Sequence, residues 1–224
     1  MNTRGTTIQM TMSDGARIGV YQVQASGTRR GGLVLIQEIF GVTEHIQQQC
    51  DRFADEGYEV WAPALFDREA PGLNLGRGPE DMSKALKLAR ELHPFALSVA
   101  DALTCIDALA AKGPAFITGY CYGGSVTWAA ACRSDALAAA SGYYGSQIPA
   151  MAAQQPRCPT ILHFGRLDAS IAMDSVEKIQ SAHPELPVHL YDAGHGFNGD
   201  GPHHDAASAQ LAFERTLALF RSAP

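Results

Sequence analysis

Residues 115–124 read AFITGYCYGG, and the fold turns on them. Ala115-Phe116-Ile117-Thr118 is a short apolar run of the kind that forms a buried strand. It meets Gly119-Tyr120-Cys121-Tyr122-Gly123-Gly124, and the apolar stretch from Gly124 to Cys132 predicts a helix. A G-x-[nucleophile]-x-G segment between strand and helix has a mechanical basis. Its central residue sits in a sharp, strained turn, where side chains two positions away would strike the strand or the helix. Gly119 and Gly123 meet that demand, and Cys121 stands at the nucleophile's position. The turn aims Sγ off the carboxyl edge of a sheet, with a helix N-terminus behind it. Helix dipole and local N–H groups then favour an anion there. Taken alone, the same residues also fit a glycine-rich turn around an inert, buried thiol.

Outward from this turn, the chain order supplies partners. An elbow of this type is followed by an acid after one later strand and a histidine after another. The strand predicted at Thr160–Phe164 runs into Gly165-Arg166-Leu167-Asp168, and that at Val188–Tyr191 runs into Asp192-Ala193-Gly194-His195-Gly196-Phe197. Asp168 and His195 therefore fall just past strand ends, where open α/β sheets carry their chemistry. In such a triad the histidine exchanges the proton while the acid fixes its tautomer. Asp192 competes with Asp168 but stands at the strand's end. His163 and His189 lie inside predicted strands and read as structural, and His45, His93 and His183 read as surface or helix-end residues. Asp200-Gly201-Pro202-His203-His204-Asp205 is rich in ligating types, but no second cluster at ligand spacing accompanies it. It reads as a solvated loop, and no metal is expected.

The bulk composition bounds the class. The chain has 224 residues, is 46% hydrophobic and carries a formal charge of −6, enough for one sizeable core. The acidic balance argues against nucleic acid or an anionic membrane as partner. Five cysteines, odd in number and scattered, form no CxxC pair, so neither a disulfide framework nor a zinc knuckle is indicated. Residues 1–5 lack the pattern of a secretory signal, and no apolar run reaches the ~18 residues of a membrane span. The expectation is a cytoplasmic protein, monomeric or weakly homo-oligomeric, forming a single domain over residues 1–224. Short apolar runs alternate with amphipathic stretches, as in a mostly parallel sheet wrapped by helices. Residues 6–12 and 17–24 predict an opening antiparallel hairpin. Strands are also expected at 33–36, 58–62 and 138–143, and helices at 44–54, 80–92, 95–111 and 206–220. Residues 64–79, rich in Gly and Pro, read as an irregular excursion bordering a site.

With Cys121, Asp168 and His195 in place, the chain resembles the dienelactone hydrolase family (carboxymethylenebutenolidases) of the α/β-hydrolase fold. The resemblance covers nearly the whole length. It rests on Gln37-Glu38-Ile39-Phe40-Gly41-Val42, Ala70-Pro71-Gly72, the cysteine elbow, Gly142-Tyr143-Tyr144-Gly145, Ala193-Gly194-His195 and Glu214-Arg215-Thr216-Leu217. It implies one three-layer α/β domain that hydrolyses a small-molecule ester or lactone without a cofactor, through an acyl-enzyme. It also implies a switch at Glu38, whose carboxylate accepts a hydrogen bond from the resting thiol and helps remove its proton when substrate binds. Backbone N–H groups of Ile39 and Tyr122 would form the oxyanion hole. A general carboxylesterase or thioesterase would use the same machinery, and a non-catalytic small-molecule-binding protein is the reading from another class.

Two features depart from the family pattern. Its carboxylate-binding arginines align near Met82 and at Gly199, so neither is present. Arg68, Arg77 and Arg166 are conceivable substitutes that read as solvated surface residues. Neutral substrates are therefore expected to gain on acidic ones. Tyr120, Tyr143, Tyr144 and Phe197, at strand ends and loops near the elbow, are expected to line the pocket, with core packing the alternative for Tyr143 and Tyr144. Trp128 is expected in the core.

Overall fold

Alternation along Leu33-Val34-Leu35-Ile36 assigns the two faces of the sheet. All four residues are buried, but Leu33 and Leu35 join one core cluster while Val34 and Ile36 join the other. A strand covered on both faces reads as a continuous apolar run, which is why this segment lacks a polar side. It is β3 (Gly31–Ile36) of an eight-stranded sheet. The others are β1 (Thr6–Thr11), β2 (Arg17–Val23), β4 (Tyr58–Pro63), β5 (Ala115–Tyr120), β6 (Leu137–Tyr143), β7 (Thr160–Gly165) and β8 (Val188–Tyr191). Their spatial order is β1-β2-β4-β3-β5-β6-β7-β8. The first two strands form the expected hairpin, β2 pairs antiparallel with β4, and the remaining pairs are parallel. The computed structural model describes residues 3–223, so the first two residues and the last of the expected 1–224 domain lie outside the described residues.

The helices are α1 (Glu44–Asp55), α2 (Pro79–Lys87), α3 (Phe95–Ala110), α4 (Tyr122–Ala131), α5 (Met173–Ala182) and α6 (Ala206–Ser222). Phe53 of α1 and Phe213, Leu217 and Phe220 of α6 cover the Leu33 face, while α3 and α4 cover the Val34 face. Each large apolar side chain so buried stabilises the fold by about 1.5–3 kcal/mol. Every residue of α4 is buried, Trp128 included, so the helix behind the elbow is the most enclosed of the α-helices. The segment expected as one helix at 80–92 is α2 followed by a single π-helical turn at Leu88–Leu92. The sequence did not reveal α5, whose buried positions are only Val176 and Ile179. Among the described residues no single helix is long and apolar enough to cross a membrane.

Beneath the carboxyl edge runs a buried polar chain. Tyr143 Oη and Ser141 Oγ each lie 2.7 Å from Thr216 Oγ1 of α6. Ser141 Oγ is also 3.1 Å from His163 Nε2, and His163 Nδ1 is 2.8 Å from Tyr191 Oη. Burial holds His163 well below its ordinary pKa, so it is neutral and structural, as expected. His45, His93 and His183, expected at the surface or at helix ends, are all buried. His183 ends α5, and its Nε2 bonds the carbonyl of Ala152 at 2.7 Å. His93 is held by Glu69, 2.9 Å from its Nδ1.

Candidate active site

The sheet's register assembles the site. β3 and β5 are parallel neighbours with Ile36 opposite Gly119, so continuing both strands by two residues brings Glu38 beside Cys121. Here the chain leaves β3 toward one edge of the sheet and β5 toward the other, and α/β sheets bind ligands at such switch points. Cys121 is the N-cap of α4 at φ 56° and ψ −114°, a conformation that non-glycine residues avoid. Its N–H is anchored on the carbonyl of Tyr143 at 3.0 Å. The flanking glycines are required by contact. A Cβ at Gly119 would lie 2.4 Å from the carbonyl oxygen of Gly123, and one at Gly123 would lie 2.4 Å from that of Ile36.

The same logic joins the other two residues. β7 and β8 pair with Gly165 opposite Tyr191, so the loops carrying Asp168 and His195 leave the sheet side by side. His195 Nδ1 donates to Asp168 Oδ2 at 2.7 Å, and Nε2 lies 3.1 Å from Cys121 Sγ. The other carboxylate oxygen of Asp168 accepts the N–H of Ser170 at 2.7 Å, which fixes the acid. Burial alone would lower the pKa of His195. Hydrogen bonds to Asp168 and Cys121, with their charges, outweigh it and raise the imidazole to about 10. Asp192 points away, exposed and paired with Arg166 at 3.1 Å. The ring of Tyr144 lies edge-on to the His195 ring, centroids 5.1 Å apart.

Glu38 is buried, but its recorded partner is Arg77, not the thiol. Arg77 Nη2 donates to Glu38 Oε2 at 2.8 Å, and Arg77 Nε donates to Asp200 Oδ1 at 2.8 Å. The thiol-bound carboxylate implied by the family resemblance is therefore not the arrangement adopted here. Arg77 also departs from the solvated role expected of it. The excursion pairs with the loop after β3, Leu75 N–H donating to Phe40 O at 2.9 Å, and this delivers Arg77 to the site. Gly199, where an arginine was missed, leaves the guanidinium its space: a Cβ there would stand 3.2 Å from Arg77 Nη2. Arg68 ties the excursion to buried Asp101 instead, at 2.6 Å.

A cavity of about 760 Å³ opens in front of Cys121, bordered by Glu38, Ile39, Tyr122 and His195 and, across from them, by residues of α2 and the start of α3. Tyr122 is the first residue of α4, so its N–H is one of the helix's open donors. Tyr120, Tyr143, Tyr144 and Phe197 do not line this cavity. All four are fully buried beneath it. Tyr143 turns toward α6, where Thr216 takes its hydroxyl, and Phe197 packs on Tyr144 and Tyr191. Met82, Leu86, Ala89 and Phe95 line the cavity instead and were not anticipated as a set. Their helical spacing was legible, but not that their outer side faces the nucleophile. In the segment 200–205, read from the sequence as a solvated loop, Asp200 pairs with Arg77 and Asp205 caps α6.

A mostly parallel sheet with the strained Cys121 turn after β5, Asp168 after β7 and His195 after β8 has the layout of an α/β hydrolase. The dienelactone hydrolase family model matches residues 18–223. Carboxymethylenebutenolidase 1 of Cupriavidus pinatubonensis is 30% identical over 224 residues, covering 95% of this chain and 94% of that one. A "putative carboxymethylenebutenolidase" of Escherichia coli K12 is 32% identical over 210 residues, covering 84% and 76%. The crystal structure of a "putative dienelactone hydrolase" from Klebsiella pneumoniae superimposes with a TM-score of 0.82 at 27% identity, covering 98% and 99%. The chain belongs to the dienelactone hydrolase family and is a dienelactone hydrolase-like carboxylic ester hydrolase.

Proposed function

We propose that the protein hydrolyses a small-molecule ester or lactone through a Cys121-His195-Asp168 triad and a thioester intermediate. The observation that carries this reading is the unbroken chain from Sγ to Nε2 at 3.1 Å and from Nδ1 to the Asp168 carboxylate at 2.7 Å. The Cys121 thiolate attacks the carbonyl carbon, and the resulting oxyanion rests on the N–H groups of Ile39 and Tyr122. As the C–O bond breaks, the His195 imidazolium gives its proton to the departing alkoxide, leaving a thioester on Cys121. Neutral His195 then takes a proton from water as that water adds to the thioester carbonyl. Collapse of this second adduct expels the thiolate, restores the thiolate–imidazolium pair and releases the carboxylic acid. Glu38 has two positions in this scheme. Held by Arg77, it leaves Sγ to His195; turned toward Sγ, it would hold the proton of a resting thiol.

The test is hydrolysis of neutral aryl esters, thioesters, neutral lactones and a dienelactone by the wild type and Cys121→Ala. Turnover that depends on Cys121, with a transient acyl adduct on that residue by mass spectrometry, is the expected result. Equal rates for the two proteins on every substrate would remove the catalytic reading.

A further inference from the structure

The cavity in front of Cys121 is larger than a small lactone requires. Its volume of about 760 Å³ falls within the roughly 300–1,000 Å³ of sites that enclose drug-sized molecules. A five-membered lactone seated against Cys121 leaves most of it unfilled. The space lying away from the nucleophile is bounded by one side of α2 and the π-helical turn behind it. Met82, Leu86 and Ala89 fall on one helical stripe, and Phe95 at the start of α3 extends the row. The neighbouring stripe, Ala85 and Leu88, is buried in the core. This helix is thus apolar on two sides, one fully covered by the protein and the other only partly buried where it borders the cavity. A contiguous apolar wall leading to a nucleophile is the form a binding site takes for the non-reacting part of a substrate.

Charge narrows the class further. Glu38 is matched by Arg77, and Arg90 and Glu91 are adjacent on the rim, so the formal charges bordering the cavity cancel in pairs. The Arg77 guanidinium is already engaged by two carboxylates, Glu38 and Asp200. A carboxylate entering here meets a cation whose charge is already balanced, and it would add a third anion to the group. We infer that the arm walled by Met82, Leu86, Ala89 and Phe95 holds an aryl or medium-chain alkyl group, making the substrate a bulky neutral ester. This rests on the Cys121-dependent hydrolysis proposed above.

The experiment compares kcat/KM for vinyl acetate, vinyl octanoate, naphthyl acetate and the monovinyl ester of octanedioic acid. The wild type is expected to favour at least one of the two bulky neutral esters over vinyl acetate by tenfold or more, since each buried methylene is worth about fourfold. It should disfavour the anionic ester against the octanoate by a similar factor. Ala89→Trp and Met82→Trp, each checked for folding by circular dichroism, should cut the bulky-to-acetate ratio about tenfold. A flat wild-type series overturns the inference whether or not the variants fold, and so does an unchanged ratio in both folded variants. Equal rates on octanoate and its anionic counterpart overturn the neutral assignment. Vinyl acetate cleaved by the wild type but not by Cys121→Ala, together with a flat series, sinks this inference alone. No Cys121-dependent cleavage of any ester sinks the proposed function itself.

Discussion

On the side of Cys121 the cavity is bounded by main chain packed on main chain, whereas on the side of Met82 it is bounded by partly exposed side chains. Gly123 lies so close to the end of β3 that no Cβ fits, and the Cys121 N–H is pinned to β6. Across the cavity, Met82, Leu86 and Ala89 project from a short helix that ends in a π turn, packs on the core through Ala85 and Leu88, and follows an excursion held by the Arg77 and Arg68 ion pairs. The contrast separates two tasks. Where backbone atoms set the geometry, side-chain changes cannot move it far, and that suits a reaction requiring sub-ångström placement. Where side chains set the shape, single substitutions rewrite it.

The comparison breaks most decisively at the nucleophile. Cys121→Ala is expected to lower kcat/KM by about 10⁴-fold or more in steady-state assays, with folding intact. Asp168→Asn should cost about 10⁴-fold, and it carries a signature. Without the carboxylate, the His195 pKa falls from about 10 toward its ordinary value. The pH at which iodoacetamide labelling of Cys121 responds to imidazole deprotonation should then move down. An unmoved profile would deny Asp168 its role. Burial raises the other four thiols, Cys132 to about 11, Cys105 to about 12, Cys50 higher still and Cys158 in the same direction, and mass spectrometry assigns the labelled residue. Gly123→Ala tests the backbone side directly: overpacking against β3 should cost about 3 kcal/mol in urea unfolding. A Met82→Ala variant, by contrast, should stay within about 1 kcal/mol.

Smaller effects sharpen the boundary between the two sides. Arg77→Met leaves buried Glu38 without its cation and should cost about 1–3 kcal/mol, largely recovered in Arg77→Met/Glu38→Gln. If Glu38 is the switch, the single variant also frees it to turn toward Sγ, slowing alkylation of Cys121 about tenfold, and the double variant restores the rate. An unchanged rate would confine Glu38 to packing. The last effect concerns pH. His195 binds its proton more tightly folded than unfolded, so its contribution is complete below about 6.5 and is lost as pH rises through about 10. The melting temperature of the wild type should therefore fall relative to His195→Gln between those values. A constant gap would show that His195 adds no pH-linked stability.

Cys121, Asp168 and His195 were legible as a set because each rides a loop leaving a recognisable strand, and the structure brings their side chains together. Glu38 needed more, since its nearness to Cys121 depends on β3 and β5 being neighbours in a given register. The four aromatics near the elbow were misplaced because a residue at a strand's end can turn to the cavity or to the helix beneath. A buried acceptor such as Thr216 decides between them. Arg77, named as a substitute but read as solvated, was misjudged because its place depends on a gap at Gly199, distant in sequence. Helix α5 escaped because two buried positions in ten residues make a faint period.

The elbow has an evolutionary consequence. Its constraints are a backbone angle at residue 121 and the missing Cβ atoms at Gly119 and Gly123. None of them reads the atom carried beyond Cβ. Sulfur and oxygen are thus interchangeable as far as the scaffold is concerned, and a lineage can trade a thiol for a hydroxyl by one codon step without refolding the site. What such a trade alters is the balance among His195, Glu38 and Arg77, so these three residues, not the turn, should bear the record of which nucleophile came first.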